Sequence, residues 1–455
     1  MDVVWLSRIQ FAFTVSFHYL FPPLSIGLAL MIAIMEGMYL KTKKPKYKRM
    51  TKFWTGLFAL SFALGVATGL VQVFAFGNNW SRYSTFVGDV FGSALAAEGI
   101  FAFFLEGGFI GIMLFGWDRV SEKMHYLSTI LVTVGSHFSA VWIVAANSWM
   151  QTPSGFKVIG TGDKARAVVT NFWEMIFNPS FVDRIIHVIF GAWLTGAFVV
   201  LSISAYYYLK KRDLDVAKTS MRIALYVGGI VLLLQLWSAD STARGVAMNQ
   251  PAKLAAIEGI YQTQDYTPMT LIGYVDEKNE KVVGLQVPGF LSFLVSRNFK
   301  EPVQGLDQIP RENWPKVGVI FQSYHLMIFM WVLMCFGVFM AIIKYRKGTL
   351  QKSKWTLRYL VISAIFPYLA NQAGWFTAEV GRQPWVVYNI LRTVDGVSRS
   401  IVAAQVVGSL IMFISIYSLL LFLFIFLMNR KIQAGPQAIS QDREYRNIYG
   451  EKNGA

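Results

Sequence analysis

Two carboxylates, Glu98 and Glu106, lie in the apolar run from Leu95 to Phe115, which is long enough to cross a bilayer. A carboxyl at membrane depth costs roughly 2.5–3.5 kcal/mol, so one that is present faces a cavity, a partner or a cofactor, or bonds a neighbouring helix. Eight residues on a plain helix leave the pair about 80° apart around the axis and about 12 Å apart along it. One broad face of this segment therefore presents acid.

Metal-ligating side chains are sparse and spread out. The five histidines are His18, His125, His137, His187 and His325. His18 and His187 fall near the outer ends of their apolar spans, and His325 and Met327 fall in the outer half of another. Glu98, Glu379 and Arg382 are expected at a similar level. Imidazole, thioether and carboxylate at one membrane side suggest haem iron with these groups as axial ligands. The single cysteine, Cys335, excludes an intrachain disulfide and a Cys-x-x-Cys-His haem attachment, so such a cofactor is held without thioether links. Five scattered histidines are too few for a haem–copper centre, which needs six. A proton-coupled transporter, which also carries intramembrane carboxylates, is the alternative, although no inverted repeat is evident. His125 is expected to be solvated or snorkelling at the inner boundary; His137, mid-span, carries no assigned role.

The elements that must position these groups are apolar helices. At 55% hydrophobic and 15% charged over 455 residues, with mean hydropathy +0.44, the chain reads as an all-α polytopic membrane protein. About nine spans are predicted, near 13–40, 53–76, 94–116, 126–149, 184–209, 219–239, 317–343, 356–376 and 400–428. The net charge of +16 sits in short clusters between spans (Lys41 to Lys52, Lys210 to Arg212, Lys344 to Lys354), which are topology signals and not a nucleic-acid surface. They place the amino terminus outside and the tail from Asn429 inside a bacterial or archaeal cytoplasmic membrane, with outward loops near 77–93, 150–183, 240–316 and 377–399. No cleavable leader is expected, because the first apolar block lacks a basic flank. The chain divides into helices at 1–239, an outward polar excursion at 240–316 between spans six and seven, and helices with a tail at 317–455. The end of the tail after Arg430 is expected to be disordered.

Several motifs add a specific likeness. Leu6-Ser-Arg-Ile-Gln-Phe-Ala12, Phe62-Ala-Leu-Gly-Val-Ala-Thr-Gly69, Ala97-Glu-Gly99, Gly116-Trp-Asp-Arg119 and Gly374-Trp-Phe-Thr-Ala-Glu-Val-Gly-Arg-Gln-Pro-Trp385 together resemble subunit I of cytochrome bd-type quinol oxidases, in order and over nearly the whole chain. The resemblance implies two b-type haems plus haem d or a third b haem, quinol and dioxygen as substrates, and a second membrane subunit with small single-span subunits as further candidate partners. His187 and Met327 match the axial pair of a low-spin haem. His18 and Glu379 match ligands of two high-spin haems, and Trp375 and Arg382 fall in the cofactor-binding motif. Glu98 matches a residue at the dihaem site, Glu106 one on its proton route, and Lys253 with Glu258 the quinol-oxidising segment, which makes 240–316 a short Q-loop. His325 stands where better-known members carry Arg. Two residues from Met327, it points about 200° away, so the two cannot face one ring together.

Overall fold

The computed structural model describes residues 2–437; Met1 and residues 438–455, with the expected disordered end of the tail, lie outside the described residues. α1 (Val3–His18) starts where the Asp2 carboxylate accepts from the Val4 amide at 2.9 Å. It stops ahead of Pro22 and Pro23, which have no N–H to continue the ladder but fit the first turn of α2 (Phe21–Thr42). His18 therefore ends a helix at a break within a 40-residue apolar run.

α3 (Pro45–Asn79) turns through Trp80 into α4 (Ser81–Glu98), a π turn at Gly99–Phe103 and α5 (Phe104–Phe115). The predicted outward loop at 77–93 is therefore helix. Asn78, Asn79, Ser81 and Arg82 lower the hydropathy, but the helical backbone is interrupted only at Trp80, and the Ser398 hydroxyl donates to Asn78 O at 2.5 Å. Glu98 consequently lies mid-rod, roughly 25 Å from the Trp80 turn, and not near a helix end as expected.

α6 (Glu122–Gln151) is capped by Ser121 and followed by a hairpin, β1 (Phe156–Ile159) with β2 (Arg166–Val169), and by the short α7 (Phe172–Ile176). α8 (Phe181–Lys210) and α9 (Leu214–Asn249) come next, so the polar excursion begins on a continuing helix. Pro251 ends that helix and opens α10 (Pro251–Glu258). An antiparallel hairpin follows, β3 (Met269–Asp276) with β4 (Lys281–Val287), then α11 (Phe290–Ser296) and α12 (Val317–Arg346).

The predicted span at 356–376 is two helices, α13 (Lys354–Ile362) and α14 (Ile365–Val380). Pro367 cannot donate to Ser363, and the helix is broken one turn before it. The remainder is β5 (Trp385–Val387) with β6 (Leu391–Arg392), α15 (Thr393–Gly396) and α16 (Ala403–Ala434). Among the described residues, eight helical runs are long and apolar enough to cross a membrane.

α2 and α8 touch backbone to backbone. A Cβ on Gly27 would lie 2.2 Å from Ala192 O, and one on Gly196 would lie 2.2 Å from Gly27 C. Small residues at such crossings let membrane helices gain close dispersion contact. Around this crossing sits the main apolar core, with Leu28, Met31, Trp54, Phe58, Phe198 and Met221 fully buried. A second core of Trp80, Tyr83, Trp149, Met175 and Phe181 closes the end where α6 and α8 meet the loops.

Candidate functional site

The last residue of α6, Gln151, joins two parts of the chain that the sequence kept apart. Its Oε1 accepts from the Lys253 ammonium on α10, and its Nε2 donates to Glu379 Oε1 on α14 at 3.3 Å. Asn147, one turn earlier, donates to the same oxygen at 3.0 Å, while Arg382 Nη2 donates to Glu379 Oε2 at 2.5 Å. Arg184 donates in turn to Asn147. Gln250 Oε1 takes a second Lys253 bond at 2.6 Å. Lys253 needs the absent side chain of Gly381: a Cβ there would meet its Cγ at 2.8 Å. Arg382 is only 3% exposed, yet its Nε and Nη1 are buried without a partner.

Two imidazoles are presented in the manner of metal ligands. His18 Nδ1 lies 2.9 Å from Thr68 Oγ1, and His187 Nδ1 lies 3.1 Å from Ser238 Oγ on α9. Hydroxyl support at one ring nitrogen orients the other toward a metal. The Gln235 amide lies 3.0 Å from either nitrogen of His187, and its Oε1 is buried without a partner. Met327 on α12 occupies a cradle on α14, where a Cβ on Gly374 would come within 2.9 Å of Sδ. α8 reaches the same helix one turn away, at Gly191 and Asn371. Among the described residues no three His, Cys, Asp or Glu side chains converge as a metal cluster. The donors instead stand singly, as axial ligation of a macrocyclic metal requires, and the orphaned Arg382 donors suit its anionic substituents. The residues present thus fit haem.

Glu98 and Glu106 both address α6. Ser139 donates to Glu98 Oε1 at 2.6 Å, and Glu106 packs on Gly135, whose Cβ would meet its Cγ at 2.8 Å. The π turn between them explains the shared face. Its i→i+5 bonding absorbs one residue, so eight positions cover seven helical steps and leave the carboxylates about 20° apart instead of 80°.

Lys253 and Glu258 are buried, and a helix turns them about 140° apart, so they line different walls. Glu258 Oε2 has no partner. Trp375 contacts Phe376, with ring centroids 5.3 Å apart. His325 is committed to backbone, its ring nitrogens 2.8 Å from Phe321 O and 2.9 Å from Thr270 O. His137 Nδ1 lies 2.7 Å from Thr133 O and its Nε2 accepts from the Trp193 indole at 2.8 Å, a satisfied link between α6 and α8. His125 is not solvated: it is 1% exposed, its Nδ1 is 2.6 Å from Glu36 Oε1, and the Trp117 ring lies over it at 3.9 Å. Sequence reasoning missed Glu36, Gln151 and Asn147. Glu36 carried the same signal as Glu98, a carboxylate in an apolar run; the two amides carried none, since polar residues near a helix end are ordinary.

Together these features define a polytopic helical membrane protein with buried single-donor sites suited to a redox cofactor. The family described as cytochrome bd terminal oxidase subunit I matches residues 6–436, and the chain belongs to that family. It is 40% identical over 448 residues to the cytochrome bd ubiquinol oxidase subunit 1 of Bacillus subtilis (strain 168), covering 96% of this chain and 95% of that one. It is 34% identical over 511 residues to the cytochrome bd-II ubiquinol oxidase subunit 1 of Escherichia coli (strain K12), covering 97% and 98%. The bd oxidase structure from Geobacillus thermodenitrificans superposes with a TM-score of 0.88 at 29% identity, covering 96% of this chain and 99% of that one.

Proposed function

We propose that this chain is the haem-bearing, quinol-oxidising subunit of a terminal oxidase that works with a second membrane subunit and reduces dioxygen to water. The observation that carries the proposal is the Lys253–Gln151–Glu379–Arg382 network, in which the quinol segment is hydrogen-bonded to a candidate haem carboxylate beside unpaired guanidinium donors. His187 and Met327 would hold one haem, and His18 and Glu379 the other two, whether these are b and d or both b. When bound, the haems supply electron transfer and oxygen binding; the division of the chain at 239 and 316 separates that machinery from the quinol loop.

The chain's own part is proton handling and positioning. Burial raises the Glu258 carboxyl to about 8, so it holds a proton near neutral pH and its ionised form, populated as pH rises through that value, accepts a quinol proton. Burial, with Arg184 and Arg382 nearby, holds the Lys253 ammonium well below the ordinary lysine value, while Glu379 opposes the effect. Facing Glu379 and away from Glu258, Lys253 serves as the electrostatic link between quinol segment and carboxylate. With the loop outside, quinol protons leave outward, and Glu106 passes protons from the inner side toward Glu98, which separates charge without a pump.

The purified complex should release all its haem to acid–acetone and consume oxygen with quinol. Proteolysis of the 240–316 segment should abolish quinol oxidation yet spare oxygen consumption driven by an artificial donor. A haem-free complex that takes up a solute into liposomes would establish the transporter instead.

A further inference from the structure

The β3–β4 hairpin has an outer face of the wrong kind for water. Beyond a bulge at Leu271, Ile272 pairs with Leu285, Tyr274 with Val283 and Asp276 with Lys281. Alternation along a strand puts these residues on one side. The opposite side carries Val275 and Val282 and packs inward, with Val282 Cγ2 only 2.3 Å from where a Cβ on Gly259 would lie. In an antiparallel sheet with one covered face, the uncovered face is ordinarily polar. Here Ile272, Tyr274 and Leu285 are 73%, 57% and 62% exposed. A contiguous exposed apolar patch marks an interaction surface.

α12 shows what covers it. Three bonds run down this helix: Gly318 N donates to Glu277 Oε1 at 2.8 Å, Gln322 Nε2 donates to Gly273 O at 3.2 Å, and His325 Nε2 lies 2.9 Å from Thr270 O. The hairpin therefore lies along α12, with its polar tip level with the first turn and its bulged end deeper. Val319, Leu326 and Phe329 are exposed on α12 around Gln322, on the stripe an isolated membrane span turns to lipid. A hydrocarbon core takes about 20 residues of helix, which counted back from Ile343 ends near Tyr324. Ile272 and Leu285, level with Gln322, then sit just above that boundary.

We propose that the β3–β4 hairpin is embedded in the headgroup–acyl boundary of the bilayer on the side of the α12 amino terminus, with Ile272, Tyr274, Val283 and Leu285 facing lipid. Such a boundary accepts an apolar face sunk about 5–10 Å with its polar edge in water, and tyrosine is favoured at that depth. The loop that carries Glu258 is then fixed to the membrane surface by its own strand pair.

The test places a polarity-sensitive fluorophore on single cysteines, Ile272→Cys, Leu285→Cys and, at the tip, Lys278→Cys, each with Cys335→Ser, in the haem-loaded complex in nanodiscs. Haem spectrum and oxygen consumption check folding. Labels at positions 272 and 285 should emit to the blue of the label at 278, and brominated lipids should quench them more strongly than aqueous iodide does. Quenching at both positions by iodide alone would overturn the proposal in favour of a water-facing hairpin. Protection from both quenchers would overturn it in favour of a protein partner, a second subunit or a second copy, which crosslinking at the same cysteines would identify.

Discussion

Lys253 and Glu379, 126 residues apart in the chain, grip opposite ends of one side-chain amide: Gln151 accepts from the ammonium through Oε1 and donates to the carboxylate through Nε2 at 3.3 Å. The amide cannot flip without setting donor against donor and acceptor against acceptor. A change of charge at Glu379 is thereby felt at the segment that carries Glu258.

Gln151→Leu keeps the volume and removes both bonds, leaving a buried ammonium short of an acceptor. Unsatisfied buried polar groups cost about 1–3 kcal/mol, more for charged ones. The variant should melt earlier and show a raised KM for quinol together with an altered spectrum of the haem proposed at Glu379. A change in one readout without the other would break the proposed link.

Glu258 gives quinol oxidation an alkaline dependence. As a proton acceptor it must be ionised, so the quinol-driven rate should climb as pH rises through about 8 and level off above it. The folded state also holds this proton more tightly than the unfolded chain does, so the group costs stability progressively from the ordinary carboxyl value of 4.5 up to about 8. Glu258→Gln should remove both slopes and abolish quinol oxidation while sparing oxygen uptake from an artificial donor.

Met327→Leu should convert the low-spin centre to high-spin and leave the other haem signals intact, as read by reduced-minus-oxidised spectra and magnetic circular dichroism. An unchanged low-spin signal would remove Met327 from the ligand set. His325 is already engaged by Phe321 O and Thr270 O.

Glu106→Gln keeps shape and hydrogen bonding but removes the transferable proton. Reoxidation of the reduced variant in stopped flow should show intact spectra, slow turnover and delayed proton uptake. Unchanged uptake would make Glu106 a packing residue against Gly135.

At the opposite end of α6, His125→Leu strips Glu36 of its imidazole partner, leaving it the Thr129 hydroxyl at 2.6 Å. Breaking a buried pair from one side costs about 3–5 kcal/mol, whereas removing both partners costs less. Thermal unfolding should therefore rank the Glu36→Leu/His125→Leu double variant above the His125→Leu single one.

Periodic apolarity made the helices legible, and carboxylates in apolar runs drew the eye to Glu98 and Glu106. Hydropathy failed where polarity and helicity coexist. The Asn78 to Ser84 segment reads as a loop because its side chains are polar, yet the backbone leaves the helix only at Trp80, and Ser398 satisfies the polarity from 300 residues away. The 356–376 stretch reads as one span because one internal proline barely lowers its mean hydropathy. Lys253 and Glu258 were legible only through family likeness, since a lysine and a glutamate on a short helix ordinarily face water. Gln151 was not legible at all, because what distinguishes it is three-dimensional: two charged groups reach it from distant segments.

The π turn at Gly99–Phe103 decouples chain length from facing direction at one point on the rod that carries Glu98 and Glu106. Deleting one residue inside it would close an ordinary helix and leave Glu98 and Glu106 on the α6 side, about 20° apart. Deleting one residue from the α-helical stretch between Phe104 and Glu106 would swing Glu106 by about 100° off Gly135. Of two equally small lesions a few positions apart, only the second should silence proton uptake, so this turn is the rod's tolerated seam.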